Sequence, residues 1–210
     1  MDVMTEQELL DRQIRAIIFD CDGTLADTMP PHFLAWRETL GRHGMELDED
    51  RFYALGGWPT DKIIELLANE RGLSVDVAAV ALEKENEFEV ILHEVTAIDH
   101  VVGIARRYAG KMPLAVATGG VRRICEKILE HVGILKLFDH IVTADDVERH
   151  KPNPDVFLEA ARRLNIAPEN CLVYEDTDPG VEAAKRAGMH WIDVRTFYMP
   201  RRITPVTNTV

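Results

Sequence analysis

Apolar residues follow two rhythms along this chain, and the change between them divides it. Ala16-Ile-Ile-Phe19, Leu114-Ala-Val-Ala117 and Cys171-Leu-Val-Tyr174 are short unbroken apolar runs, the pattern of strands buried on both faces of a parallel sheet. His140–Thr143 and Trp191–Val194 read as two more strands. Helical segments alternate with them: Ile124–Leu129, Asp155–Arg163, and Val181–Ala187 stopped by Gly188. That alternation predicts crossover units and a parallel α/β sheet. After the first strand the period becomes purely helical. Pro30–His43 carries Phe33, Leu34 and Leu40 on one stripe, and Pro59–Arg71 carries Ile63, Ile64, Leu66 and Leu67 before Gly72. Ser74 is expected to cap a longer helix running to about Thr96. The fold expected is a doubly wound parallel α/β sheet, residues 1–28 and 97–210, interrupted after its first strand by a helical insert, residues 29–96.

The flanks add little. Thr5-Glu6-Gln7-Glu8 fits a capping box for a short helix ending near Arg12, and Pro200–Val210 reads as a loosely held tail. Composition bounds the function more usefully. The chain has 210 residues, 46% hydrophobic and 29% charged, with a formal net charge of −12. Acidity of that size, spread along the chain, argues against nucleic acid and anionic membrane as partners. No apolar run approaches the length of a membrane span, and the acidic N-terminus lacks a signal core. Cys21, Cys125 and Cys171 have neither metal-ligand spacing nor a paired framework, which suits a reducing cytoplasm. A monomer is expected.

The chemistry gathers at strand ends. Ala16–Phe19 runs into Asp20-Cys21-Asp22-Gly23. The two carboxylates can serve one site only if the chain leaves strand geometry between them, which Gly23 makes easy. They lie at the carboxyl edge of the sheet, where open α/β folds bind ligands. Close carboxylates repel unless a proton or cation joins them, and Mg²⁺ with its oxygen preference is the natural cation. Asp22-Gly23 is also a good hairpin turn, although Pro30-Pro31 blocks a second strand soon after. Cys21 between the acids could be a nucleophilic thiol, but strand parity points it to the other face, as a small buried hydrophobe.

Thr118-Gly119-Gly120 follows the next strand and offers a hydroxyl and free N–H groups to an anion, or a plain turn. Lys151 is presented by Lys-Pro-Asn-Pro-Asp, where prolines stiffen the backbone; a lysine ahead of a helix is otherwise a surface residue. Glu175-Asp176 repeats the strand-then-acid pattern and could complete a Mg²⁺ shell. Asp178 before Pro179 reads as a helix cap and stays outside the chemistry.

Asp20-Cys21-Asp22-Gly23-Thr24-Leu25-Ala26-Asp27-Thr28 resembles the first motif of the haloacid dehalogenase superfamily of phosphatases and phosphomutases. Thr118, Lys151 and Glu175-Asp176 follow in the order of that superfamily's other motifs, so the resemblance covers nearly the whole chain. A helical insert right after the first motif resembles the β-phosphoglucomutase-like branch. Phe33-Leu34-Ala35-Trp36-Arg37, Thr143-Ala144-Asp145, His150-Lys151-Pro152 and Tyr174-Glu175-Asp176 resemble bacterial sugar phosphatases of the fructose-1-phosphate type. The resemblance implies a Mg²⁺-dependent phosphatase with a helical cap over an α/β core. Asp20 would be the nucleophile, and Asp22 the acid and base. Thr118, Gly119 and Lys151 would hold phosphate oxygens. Asp20, the Asp22 carbonyl, Glu175 and Asp176 would surround the metal. His32, Trp36, Trp58 and Lys84 are the cap candidates for contacting a small sugar phosphate. Thr60 stands where the mutases of that branch carry a phosphate-gripping arginine, which favours hydrolysis over mutase chemistry. Ala97-Ile98-Asp99-His100 replaces the Pro-Gly common in relatives at the cap hinge. A non-enzymatic phospho-Asp switch shares the acids, Thr and Lys but has no use for Asp22, and dehalogenation has none for Glu175-Asp176.

Overall fold

A computed structural model describes residues 12–203; the capping box at Thr5–Glu8 and the end of the C-terminal tail lie outside the described residues. The centre of the fold is a five-stranded parallel sheet in the order β5-β4-β1-β6-β7, with β1 Ala16–Phe19, β4 Leu114–Ala117, β5 His140–Val142, β6 Cys171–Glu175 and β7 His190–Asp193. Strand β1 pairs with β4 on one side and β6 on the other. Alternation along β1 sends Ile17 and Phe19 into one apolar layer and Ala16 and Ile18 into the other, as a strand covered on both faces requires. The first layer packs helices α5 (Asp99–Tyr108) and α6 (Arg122–His131); the second packs α7 (Asp155–Leu164) and α8 (Asp178–Arg186). Cys21 keeps the parity of Phe19 and lies fully buried in the first layer. Contact with Cys125 and burial raise its thiol pKa well above the ordinary range, leaving it inert as a nucleophile.

Between β1 and α5 the chain forms α1 (Met29–Arg42), α2 (Glu49–Ala54), α3 (Thr60–Glu70) and α4 (Val77–Val90). These helices surround an apolar cluster of their own, centred on Phe33, Trp36, Leu40, Phe52, Ile64 and Leu67. Two sequence expectations are corrected here. The longer helix begins after Asp76, whose carboxylate accepts from the Ala79 N–H, and stops at Val90, so Ser74 is not its cap. Helix α8 is capped by Thr177, which accepts from the Gly180 N–H, so Asp178 and Pro179 are already helical. A minimal two-stranded pair, β2 (Ala26–Asp27) with β3 (Thr96–Ala97), zips together the two chain passages that enter and leave the insert. Neither two-residue strand is long enough to show a period, and α2 and α5 likewise escaped the periodicity reading.

Candidate active site

The central position of β1 brings three loops to one sheet edge. Asp20 leaves the strand with its N–H donating to the Tyr174 carbonyl at 2.9 Å, so the β1 and β6 ends stay in register and their acids meet. Asp20, Glu175 and Asp176 each offer a carboxylate oxygen within 4.8 Å of the others. Lys151 reaches into this group although it follows an exposed loop: its Nζ donates to Asp20 Oδ1 at 2.6 Å, Glu175 Oε2 at 2.7 Å and the Ala117 carbonyl at 3.3 Å. It is 6% exposed, which rules out a solvated surface lysine. Its peptide bond to Pro152 is cis.

Two glycines make the convergence possible. A Cβ on Gly180 would lie 2.0 Å from Glu175 Cδ, and one on Gly23, where φ is +77°, would lie 2.1 Å from Asp176 Oδ2. Side chains at either position would displace an acid. Glu175 is otherwise fully engaged: Oε1 accepts from the Asp176 N–H, the Thr177 N–H and the Thr177 hydroxyl. Thr24 donates to Asp176 Oδ1 at 3.1 Å.

Charge at this point does not balance. Burial and Glu175 raise the Asp20 carboxyl pKa, with Lys151 pulling it down less strongly. Burial, Glu175 and Asp20 likewise raise the Asp176 carboxyl well above the usual carboxylate range. Lys151 keeps its proton because the two carboxylates outweigh its burial. Three carboxyl groups gathered around one ammonium in a water-poor pocket lack positive charge. Their oxygens fit a hard divalent cation such as Mg²⁺, with Asp20 and Asp176 free to ligate and Glu175 committed to Lys151 and Thr177.

Asp22 is held apart from the cluster. Its Oδ1 accepts from the Thr28 hydroxyl at 2.7 Å and from His32 Nε2 at 3.2 Å, and its Oδ2 accepts from Thr118 Oγ1 at 3.4 Å. An ammonium has only donors, so Lys84 Nζ, 3.0 Å from His32 Nδ1, fixes the imidazole proton on Nε2, facing Asp22. Burial and the Lys84 charge keep that imidazole neutral. Burial works to raise the Asp22 carboxyl, but His32, Thr28 and Lys84 outweigh it and hold the pKa below the usual range.

Above these groups a cleft is lined by Asp20, Asp22, Thr118, Gly119 and Lys151 from the sheet edge and by all four insert candidates, His32, Trp36, Trp58 and Lys84. Their settings differ. Trp36 is buried and Trp58 half exposed, while His32 stacks on Phe88 with ring centroids 3.8 Å apart. Glu85 also lines the cleft and escaped the sequence reading, and Thr60, read from the sequence only as the replacement for a mutase arginine, lines it too. Thr177 escaped that reading as well, although it was legible as a Thr three residues before a helical Gly, and so did the parts that Thr28 and Gly180 play beside Asp22 and Glu175.

Comparison with known proteins agrees with this arrangement. The haloacid dehalogenase-like hydrolase family matches residues 14–188. The chain is 40% identical over 179 residues to fructose-1-phosphate phosphatase YqaB of Escherichia coli (strain K12), covering 85% of this chain and 95% of that protein. It is 33% identical over 183 residues to a phosphorylated carbohydrates phosphatase of Thermotoga maritima, covering 85% and 84% respectively. A crystal structure of β-phosphoglucomutase from Clostridium difficile superposes with a TM-score of 0.79 at 25% identity, covering 86% of this chain and 84% of that one. Motif order, sheet topology and sequence likeness over most of the chain agree: this protein belongs to the haloacid dehalogenase-like hydrolase family.

Proposed function

We propose that this protein is a Mg²⁺-dependent phosphatase of a small sugar phosphate, with the phosphoryl group carried transiently on Asp20. The observation that carries the reading is the placement of Asp20 against Lys151 and Asp176 at the floor of the cleft, with Asp22 turned aside toward Thr28 and His32. Nucleophile and proton carrier are thus two residues apart in sequence but differently partnered. Asp20 attacks phosphorus as the bond to the sugar oxygen breaks, and Asp22 supplies the proton that the departing oxygen takes. Asp22 then removes a proton from the water that attacks the phosphoaspartate, returning Asp20 and releasing phosphate. At rest Asp22 is a base; an arriving phosphate dianion raises its proton affinity and so favours the acid form needed first. Thr118, the Gly119 N–H and Lys151 hold phosphate oxygens. When bound, Mg²⁺ supplies neutralisation of two like charges brought together; Asp20 and Asp176 would hold it, with the Asp22 main-chain carbonyl beside them and Glu175 behind.

Residues 29–96 act as a cap on a core of 1–28 and 97–210. The separate apolar cluster of the insert and the paired strands at its base support this division. Closing the cap over the sheet edge excludes water during the first step and brings His32, Trp36, Trp58 and Lys84 to the sugar.

Phosphate release from a panel of sugar phosphates, with Mg²⁺ and with excess EDTA, tests the proposal. The likeness to a fructose-1-phosphate phosphatase places ketose 1-phosphates first in that panel. Release is expected with Mg²⁺, and loss of at least 10³-fold in Asp20→Asn, since no covalent path remains. Isomerisation of a sugar 1-phosphate with little free phosphate would overturn hydrolysis, and a phosphoaspartate lasting minutes would overturn turnover altogether.

A further inference from the structure

The two ends of the cleft carry opposite electrostatic instructions. With a divalent cation balancing its acids, the sheet end would receive negative charge, through Lys151 and the hydroxyl and N–H groups of Thr118 and Gly119. The insert end holds one ammonium, Lys84, which is 3% exposed. Left alone in such a place, a lysine would be a second anion site. It is not left alone. Glu85, itself 9% exposed, places Oε1 3.1 Å from Lys84 Nζ and 3.2 Å from the Thr60 hydroxyl, which donates to it. Both donors converge on Oε1, and among the described residues no hydrogen bond to Oε2 is found.

We infer that Glu85 sets the substrate class: it cancels Lys84 at the insert end of the cleft, so that the pocket accepts phosphate esters whose far end is uncharged and hydroxyl-bearing and refuses those carrying a second anion. The inference rests on the phosphatase reading above and narrows it. Physically, a second phosphate or a carboxylate would have to approach a buried carboxylate, where like charges interact strongly. A sugar hydroxyl can instead donate to Glu85, and a site whose acceptor needs a hydroxyl discriminates against ligands that lack one. Glu85 also leaves Lys84 its bond to His32 Nδ1, so the charge is removed without disturbing the residue beside Asp22.

The test compares a ketohexose 1-phosphate with the corresponding 1,6-bisphosphate, as kcat/KM for phosphate release with Mg²⁺ and as calorimetric affinity in the Asp20→Asn background. Glu85→Gln keeps the shape and the Thr60 bond but frees the Lys84 charge. The bisphosphate-to-monophosphate ratio is expected to rise about tenfold in both measurements. Lys84→Met leaves Glu85 uncompensated, and the ratio is expected to fall. Lys84→Met also disturbs His32 and Asp22, but that loss affects both substrates alike and drops out of the ratio. Ratios unchanged in both variants would overturn the inference. A wild type that releases no phosphate while the affinity ratios still shift would sink the phosphatase reading and leave the charge selectivity standing. If Glu85→Gln fails to fold, the opposite-signed shift in Lys84→Met decides.

Discussion

Gly180 shows how one absent side chain holds a site together. Its Cα approaches Glu175 so closely that any Cβ would overlap the carboxylate, and that carboxylate both anchors Thr177 and receives Lys151. Gly180→Ala is therefore expected to displace Glu175, loosen Lys151 from Asp20 and lower kcat/KM at least tenfold. Overpacking of this kind also costs about 1–3 kcal/mol of stability, read as a lower urea midpoint. A variant with wild-type turnover and midpoint would show that the loop yields without cost. His32 is a residue of a different kind. It touches Asp22 and Lys84 at once, so a neutral ring on an apolar stack links an insert residue to the carboxylate proposed to carry the proton.

Among the elements, the turn after β5 fastens two helices to the sheet. Asp146 accepts from Arg122 of α6 at 2.6 Å and from Arg163 of α7 at 2.8 Å, while Thr143 donates to it from its N–H and hydroxyl. Burial pushes its carboxyl up, but these donors prevail and lower it from 3.8 to about 2. A group with a depressed folded pKa contributes stability that is present above its unfolded pKa and fades as pH falls through the folded one. The contribution of Asp146 is accordingly full above about pH 4 and lost toward pH 2. Asp146→Asn is expected to lower unfolding free energy by about 1–2 kcal/mol at pH 7, with the gap to wild type narrowing between pH 4 and 2. A gap that stays constant over that range would remove the ionic contribution from the account. Helix α4 holds its place by another local device, the Asp76 cap, and so carries Lys84 and Glu85 into the cleft at a fixed height.

The whole molecule stores unfavourable charge at the junction of two strand ends. Asp20, Glu175 and Asp176 are brought together by the sheet and exist as a cluster only in the folded chain. A cation bound there stabilises the fold by mass action, about 2.7 kcal/mol at a hundred times its dissociation constant. For a domain of this size that corresponds to a rise in Tm of roughly 5–10 °C. Differential scanning calorimetry with and without Mg²⁺ is expected to show that rise in the wild type and most of it lost in Asp176→Asn. Equal shifts in both proteins would mean the metal binds elsewhere.

Much of this was legible in the order of residues. A strand buried on both faces must be apolar throughout, so β1, β4 and β6 announced themselves, and acids or hydroxyls directly after them had to fall on one edge. Asp20, Thr118 and Glu175-Asp176 needed nothing more than that rule. Features lacking a repeat stayed hidden: the two-residue strands β2 and β3, the short helix α2, and the cap role of Thr177 over Asp178, which depends on where one turn ends. Lys151 could be suspected from its company, yet its burial between two carboxylates is a property of the assembled sheet. Glu85 lies furthest from what a linear reading reaches, since a glutamate beside a lysine on a helix is ordinarily a solvated pair. Local pattern decided which segments are strands and helices, because periodicity is a property of neighbours along the chain. Only the tertiary structure decided which charges share a water-poor space, because that depends on distances between residues as far apart in sequence as Asp20 and Lys151.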